Sequence, residues 1–483
     1  MTQSHNVSHY LMEMRSNTMR LLAVLILIVW LPPDSLTRVA LAAPPVVIHA
    51  TPEEIAIWRQ RSQHDAFQTE WNRLLASAKA FRDHPDAALW PGNQTSHKWN
   101  AHQIRKQQQR PNYHPGRKRG GQLRDAGFVY LITGDTSFRD RVRDTLLKQV
   151  ALPGTDFGNP AKWSRQDDCT GHQDFEIANW IRKLTYGYSY IRTSLTEAHQ
   201  AVIDAWFKTA ATYLDRAVHN NAKQRFPNRY RDEYETPNPR SKYNPGNRRG
   251  TTHWGGPTVY SFHRAWLNIP ATYNAAVAAV GALLDDATLK DHAARFVREW
   301  LMFNVAPDGT VADQFRWHTK TENQPLWAYH YAGTVIGSIV TTVDHLARAG
   351  DASLYEYETS FGHFGWGGGP KSLKRVLRRF ADLTLSGQAS EAPEKAYAST
   401  DAQLQLNEMI NAGISHIHAI YLAPANVYYK DPSLKKAYLR KLPRKPFSPG
   451  CSPWSGDWCT YPSVLFMFGN MDNQVWPYPP AEP

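Results

Sequence analysis

Residues 316–333 read RWHTKTENQPLWAYHYAG and hold Arg316, His318, Tyr329, His330 and Tyr331 within one short stretch. Arg and His donate hydrogen bonds and carry or share positive charge, so they can offset a carboxylate. Tyr and His can move protons when their surroundings shift their pKa. One reaction on uronic acids uses both abilities. Taking the proton from C5, next to the carboxylate, and expelling the oxygen at C4 needs three things. The carboxylate must be neutralised, a base must face C5, and a proton donor must face the leaving oxygen. Free tyrosine titrates near about 10, so a neighbouring Arg or protonated His is required to make a phenolate accessible. As residue types, Tyr329 and Tyr331 suit an amphipathic core with satisfied hydroxyls as well.

Two long segments carry further candidates. Residues 225–256, RFPNRYRDEYETPNPRSKYNPGNRRGTTHWGG, contain Asn247, Arg248, Arg249, His253 and Trp254 and stop just before a helical run. Residues 103–121, QIRKQQQRPNYHPGRKRGG, are similarly basic and aromatic. Loops of this length inside a compact domain are functional or disordered. The forked donors of Arg248 and Arg249 suit polymer carboxylates, and a solvated surface equally. In CTGHQDFEIANW, His172 is expected to open a helix on which Asn179 falls two turns later, so both are substrate-binding candidates. Trp254, Trp317 and Trp327 are sugar platforms or core residues. His416 and His418 sit two apart and cannot share a helix face. No HExxH, EF-hand or Cys/His spacing occurs, so no metal or other cofactor is expected.

The elements that must hold these residues announce themselves by a repeated turn. Asp135-Thr-Ser-Phe, Asp286-Ala-Thr-Leu, Asp351-Ala-Ser-Leu and Asp431-Pro-Ser-Leu share the form D-x-[ST]-[FL], and Gly134 and Gly350 precede two of them. The first three follow apolar helix-period runs, and all four precede charged amphipathic ones. A capping residue between two helical runs marks a helical hairpin. Further helices are expected over 53–81, 175–191, 197–218, 372–385 and 404–422, with little strand signal before the Trp/Pro-rich tail beyond Leu442. Helices paired this way predict an all-α fold, a single α/α toroid or incomplete barrel of hairpins with long cleft loops.

Composition narrows the partner. Lys and Arg total 55 against 43 Asp and Glu, with 17 Trp and 23 Tyr. Cations attract an acidic polymer and flat rings stack on its sugars. The N-terminus has the layout of a secretory signal: a basic start, the apolar run LLAVLILIVWL, and small residues at Ala40-Leu41-Ala42. The run is short for a bilayer span, so stable membrane insertion is not expected. Residues 1–42 are therefore read as a signal peptide, 43–483 as the toroid domain, and the chain as exported to the periplasm or medium. An exported protein points to an acidic polysaccharide rather than nucleic acid. Cys451 and Cys459 lie close enough to pair in an oxidising compartment, leaving Cys169 over.

LWAYHYAG resembles the Tyr-His segment of the alginate lyase family and its α/α-toroid relatives. AGFVYLITGDTSFRDRV, DFEIANWIRKLTYGYSYI and SPWSGDWCTYPSVLFMFGN share that look, so the resemblance spans most of the chain after residue 42. In that family an Arg upstream of a Tyr works with an Asn-His pair on a preceding loop. The resemblance therefore implies Tyr329 for proton transfer, His253 as partner base or neutraliser, and Arg316 with an Asn on the carboxylate. Asn247 and Asn179 are the candidates for that Asn. Arg249, Trp254, His172 and Tyr331 are expected to contact substrate. Thr252, not Asn, precedes His253, and Arg316 lies thirteen residues before Tyr329, a longer gap than in typical members. This looks like a divergent branch acting on alginate or glucuronan. Two other functions remain open. A toroid glycoside hydrolase would need a carboxyl pair, with Asp167, Asp168, Asp174, Glu176 and Glu322 available. A non-catalytic acidic-polysaccharide-binding protein would use the same basic cleft.

Overall fold

A computed structural model describes residues 48, 50–90, 119–152, 172–225, 266–313, 325–360, 369–386, 421–441 and 461–468, with some side chains in these spans left out of the description. Local chemistry at the short turns explains how the helices pair. Helix α1 (Pro52–Arg61) starts with a reciprocal cap: Glu54 N donates to Thr51 Oγ1 and Thr51 N to Glu54 Oε2. After it comes α2 (Gln68–Asp83). Helix α3 (Gly120–Thr133) ends on Gly134 at φ 75°, and Asp135 then caps α4 (Thr136–Ala151) by accepting from Ser137 N at 2.9 Å. Helices α5 (His172–Ile191) and α6 (Glu197–Arg225) are joined through one 3-10 turn, Arg192–Ser194. Helix α7 (Asn268–Leu284) ends on Asp285 at φ 51°, and Asp286 caps α8 (Ala287–Asn304). Helix α9 (Pro325–Arg348) precedes Gly350 at φ 102°, Asp351 and the single turn α10 (Ser353–Glu356). The four-residue strand pair β1 (Glu358–Thr359) and β2 (Lys371–Ser372) is antiparallel, with Glu358 opposite Ser372. The remaining described helices are α11 (Leu373–Ser386), α12 (Leu422–Tyr429), α13 (Pro432–Lys441) and α14 (Val464–Phe468). Among the described residues the fold is all-α apart from that strand pair and an isolated bridge, Val305 with Val311.

The four Asp turns share one construction. A residue in the left-handed region, Gly134, Asp285, Gly350 or Lys430, ends or follows the first helix, and the Asp after it accepts a backbone N–H of the next segment. Glycine takes that conformation without a Cβ clash; Asp285 and Lys430 take it at a cost.

Helix contacts arrange these hairpins as a ring. Its inner wall runs α3, α5, α7, α9, α12, then α14 and α1 back to α3, while α2, α4, α6, α8, α11 and α13 pack outside. Helix α7, NIPATYNAAVAAVGALL, is buried over nearly its whole circumference, as a helix walled on all sides must be. Helices α3 and α5 touch backbone to backbone: a Cβ on Gly127 would sit 2.4 Å from Gly187 O. The C-terminal segment closes the ring, with Trp58 Nε1 donating to Met467 O at 2.9 Å and Arg61 Nη1 to Phe466 O at 2.8 Å.

Contacts along the helices fix their directions. On the outside, Lys208 pairs with Asp286 and His292 lies 2.9 Å from Asp215, so α6 and α8 run the same way. Each is antiparallel to its inner partner: Tyr188 near the end of α5 and Arg192 in the turn after it both bond Asp204 near the start of α6, while Gly281 and Asn274 of α7 meet Leu289 and Ala293. Hence α5 and α7 are parallel. Helix α9 joins them, with Ser338 beside Thr272 near the start of α7 and His345 beside Tyr186 near the end of α5. The short turns therefore lie at one end of the ring. The N-termini of α5, α7 and α9 lie at the other.

Several sequence expectations change. The single helix expected over 53–81 is two, α1 and α2, separated by a 3-10 turn at Asp65–Phe67 where His64 Nδ1 accepts from Ala66 N. The amphipathic helix expected after Asp351 shrinks to α10, because Glu358 and Thr359 pair with residues 371–372 instead. The fourth Asp turn, like the other three, follows a helix, α12. The helix expected over 404–422 lies outside the described residues except for its last two positions, as do Cys169, Cys451, Cys459, His416 and His418. Among the described residues no helix is long and apolar enough to cross a membrane.

Candidate functional site

The end of the ring opposite the short turns is where the sequence candidates are anchored. Residues 153–171 and 226–265 each lead from an outer helix into the N-terminus of α5 or α7, and 314–324 lead into α9. Arg316, His253, Asn247, Arg249 and Trp254 fall within those stretches and lie outside the described residues. Tyr329 and His330 belong to the opening turns of α9, which Pro325 starts; their side chains are outside the description. Tyr331 follows on the same helix and is half-buried. His172 is the first residue of α5, and its side chain too is outside the description. Pro fits the first position of α9 because the N–H it lacks has no partner within a helix there.

Asn179 is placed fully. It lies on α5, 1% exposed, donating Nδ2 to Phe175 O at 2.9 Å and accepting from Arg182 Nη2 on Oδ1 at 3.0 Å. Arg182 is 3% exposed, and no carboxylate among the described residues pairs with it. Its Nε is buried without a hydrogen-bond partner. One turn on, Tyr186 Oη and His345 Nε2 of α9 are hydrogen-bonded at 2.5 Å, both fully buried. Burial holds the Tyr186 hydroxyl far above its usual range, partly offset by the Arg182 charge. Burial, Arg348 and Arg182 together push His345 down to about 3, so its imidazole is neutral. A neutral His and an un-ionised Tyr in mutual contact can hold a proton between two helices; sealed from solvent, they are positioned to orient neighbours rather than to meet a polymer.

Next to this pair lies an ionic knot. Arg348 donates to Asp344 Oδ1 at 3.0 Å and to Glu54 at 2.7 and 3.1 Å, and Tyr461 donates to Asp344 Oδ2 at 3.0 Å. Burial raises the Asp344 carboxyl against the opposing pull of Arg348. The knot joins α9, α1 and the C-terminal segment, the point where the ring closes. Sequence reasoning missed Arg182, Tyr186, His345 and Arg348. The signal was present: Asn179, Arg182 and Tyr186 are spaced i, i+3, i+7 in NWIRKLTY, and Asp344 and Arg348 are spaced i, i+4 in DHLAR. On an inner helix such spacing lines up polar side chains on one face. Among the described residues no cluster of His, Cys, Asp and Glu could hold a metal ion.

No protein-family profile matches the chain. No curated protein sequence matches it. Among solved structures it is similar to an alginate lyase from Bacteroides ovatus, over 83% of this chain and 96% of that one, at 12% identity and a TM-score of 0.47. That is a distant likeness of helical arrangement.

Proposed function

We propose that this chain is a polysaccharide lyase that cleaves a 1,4-linked polyuronate, alginate or glucuronan, by β-elimination. The observation that carries the reading is positional. The stretches bearing Arg316, Asn247, Arg249, His253 and Trp254 are anchored at the same end of the ring as the first turns of α9, which bear Tyr329 and Tyr331. On this reading, cations, amides and proton-transfer groups from those separate stretches meet at that rim, as elimination beside a carboxylate requires.

In the proposed reaction Arg316 and an Asn hold the uronate carboxylate and stabilise the charge that builds as C5–H breaks. His253 or Tyr329 removes that proton. Tyr329 returns a proton to the departing oxygen as the C4–O bond breaks, leaving a C4=C5 double bond conjugated to the carboxylate. His172, Trp254 and Arg249 would contact the flanking sugars.

Ultraviolet absorbance during incubation with alginate, glucuronan and a neutral glucan tests the reading. Absorbance should rise on one polyuronate alone; new reducing ends without absorbance would instead indicate hydrolysis. Tyr329→Phe should cut turnover by about 100-fold or more while polymer binding persists. Lost affinity with no lyase activity in the parent would favour a binding protein. Export is part of the same proposal. The N-terminus of secreted protein, read by mass spectrometry, should begin after Ala42.

A further inference from the structure

We infer that Arg182, oriented by Asn179, is the seat of one carboxylate group of a bound uronate inside the ring. This deepens the lyase reading, which supplies the identity of the sugar; the need for an anion comes from Arg182 itself. Burying a guanidinium without an opposing charge is costly. Two other buried arginines avoid that state: Arg124 pairs with Asp125 at 2.7 Å, and Arg348 holds Asp344 and Glu54. Arg61, also buried, places one Nη on two backbone carbonyls. Among the described residues Arg182 has only the neutral amide oxygen of Asn179, and its Nε has no partner there.

Among the described residues no nearby acid is free to compensate. Asp344 has one oxygen on Arg348 and the other on Tyr461, while Tyr186 and His345 occupy each other. Arg182 lies ten residues into α5, about 15 Å along its axis from the end where the long stretches are anchored. A guanidinium presents donors in a planar fork that fits a carboxylate. Asn179 gives its oxygen to one Nη and anchors its own amide on Phe175, so it fixes the plane of that fork.

The test is thermal denaturation of the full chain and of Arg182→Gln, with sodium glucuronate, sodium mannuronate, sodium acetate, glucose or sodium chloride at matched ionic strength. A uronate should raise the Tm of the parent while glucose and chloride do not. Arg182→Gln should lose that response, and its ligand-free Tm should rise by about 2 °C, because an uncompensated charge has gone. A variant that is less stable than the parent, or fails to fold, would mean that Arg182 serves the fold, and would overturn the inference. So would a variant that still responds to uronate, or a parent that responds equally to acetate, chloride and uronate. The lyase reading fails separately. Uronate protection through Arg182 without any polymer cleavage would sink the lyase and keep the carboxylate seat; cleavage unaffected by Arg182→Gln would do the reverse.

Discussion

Lys430 shows how a single backbone angle is governed by its neighbours. Its φ of 49° places a Cβ-bearing residue in the left-handed region, at the position Gly134 holds in the first Asp turn. The turn is retained because Lys430 N reaches Asn426 O at 2.9 Å and Asp431 N reaches Asn426 Oδ1 at 2.7 Å. Lys430 is exposed, so Lys430→Gly removes the Cβ clash and little else. It should stabilise the fold by about 1 kcal/mol, read as a higher denaturant midpoint at unchanged slope. Arg348 is the opposite case, a residue whose charge is fully used. Arg348→Met leaves Asp344 and Glu54 buried together without their cation, and should cost about 3–5 kcal/mol in urea unfolding.

Among elements, the crossing of α3 and α5 has the least room. Each Gly there sits where the other helix's backbone passes, and a Cβ on Gly187 would meet Leu123 Cδ2 at 2.5 Å and Arg124 Cα at 3.1 Å. Arg124 and Asp125 are paired immediately beside that crossing. Gly127→Ala should therefore force the helices apart and destabilise the protein by about 1–3 kcal/mol, despite alanine's better helix propensity. Gly134→Ala meets no neighbouring atom and is strained only through its φ, so the two variants separate packing cost from backbone cost.

For the molecule as a whole, ring closure brings titratable groups from α1, α5, α9 and the C-terminal segment into one buried knot. His345 is held neutral there, with its pKa near about 3 in the folded protein against about 6.5 for a free imidazole. Between those values the unfolded chain holds the proton that the folded one refuses. This contribution is therefore nil above about pH 6.5, and stability falls as pH drops towards 3, by up to about 1.4 kcal/mol per pH unit. His345→Gln keeps an acceptor for Tyr186 and should flatten that part of the profile. Comparing urea unfolding of parent and variant between pH 7 and pH 4.5 checks this; parallel profiles would mean that His345 is protonated in the fold.

What the amino-acid order determined alone was local. The D-x-[ST]-[FL] turns are legible because an Asp cap and a left-handed residue act within four positions, and so are the apolar periods of α3, α7 and α9. The all-α class follows from them. The break between α1 and α2 was not legible, since Glu53 to Phe81 keeps a helical pattern straight through His64. Tyr329, proposed for proton transfer, and Tyr331 beside it stood out through their types and neighbours. Arg182, Tyr186, His345 and Arg348 did not, for each reads as an ordinary residue of an amphipathic helix. Their meaning lies in what surrounds them: a carboxylate for Arg348 that is 294 positions away in Glu54, a tyrosine for His345 that is 159 positions away, and, among the described residues, no acid for Arg182. Only the closed ring decides which charges are buried and which are paired, because burial and pairing at that range depend on how helices meet, and sequence spacing does not encode that.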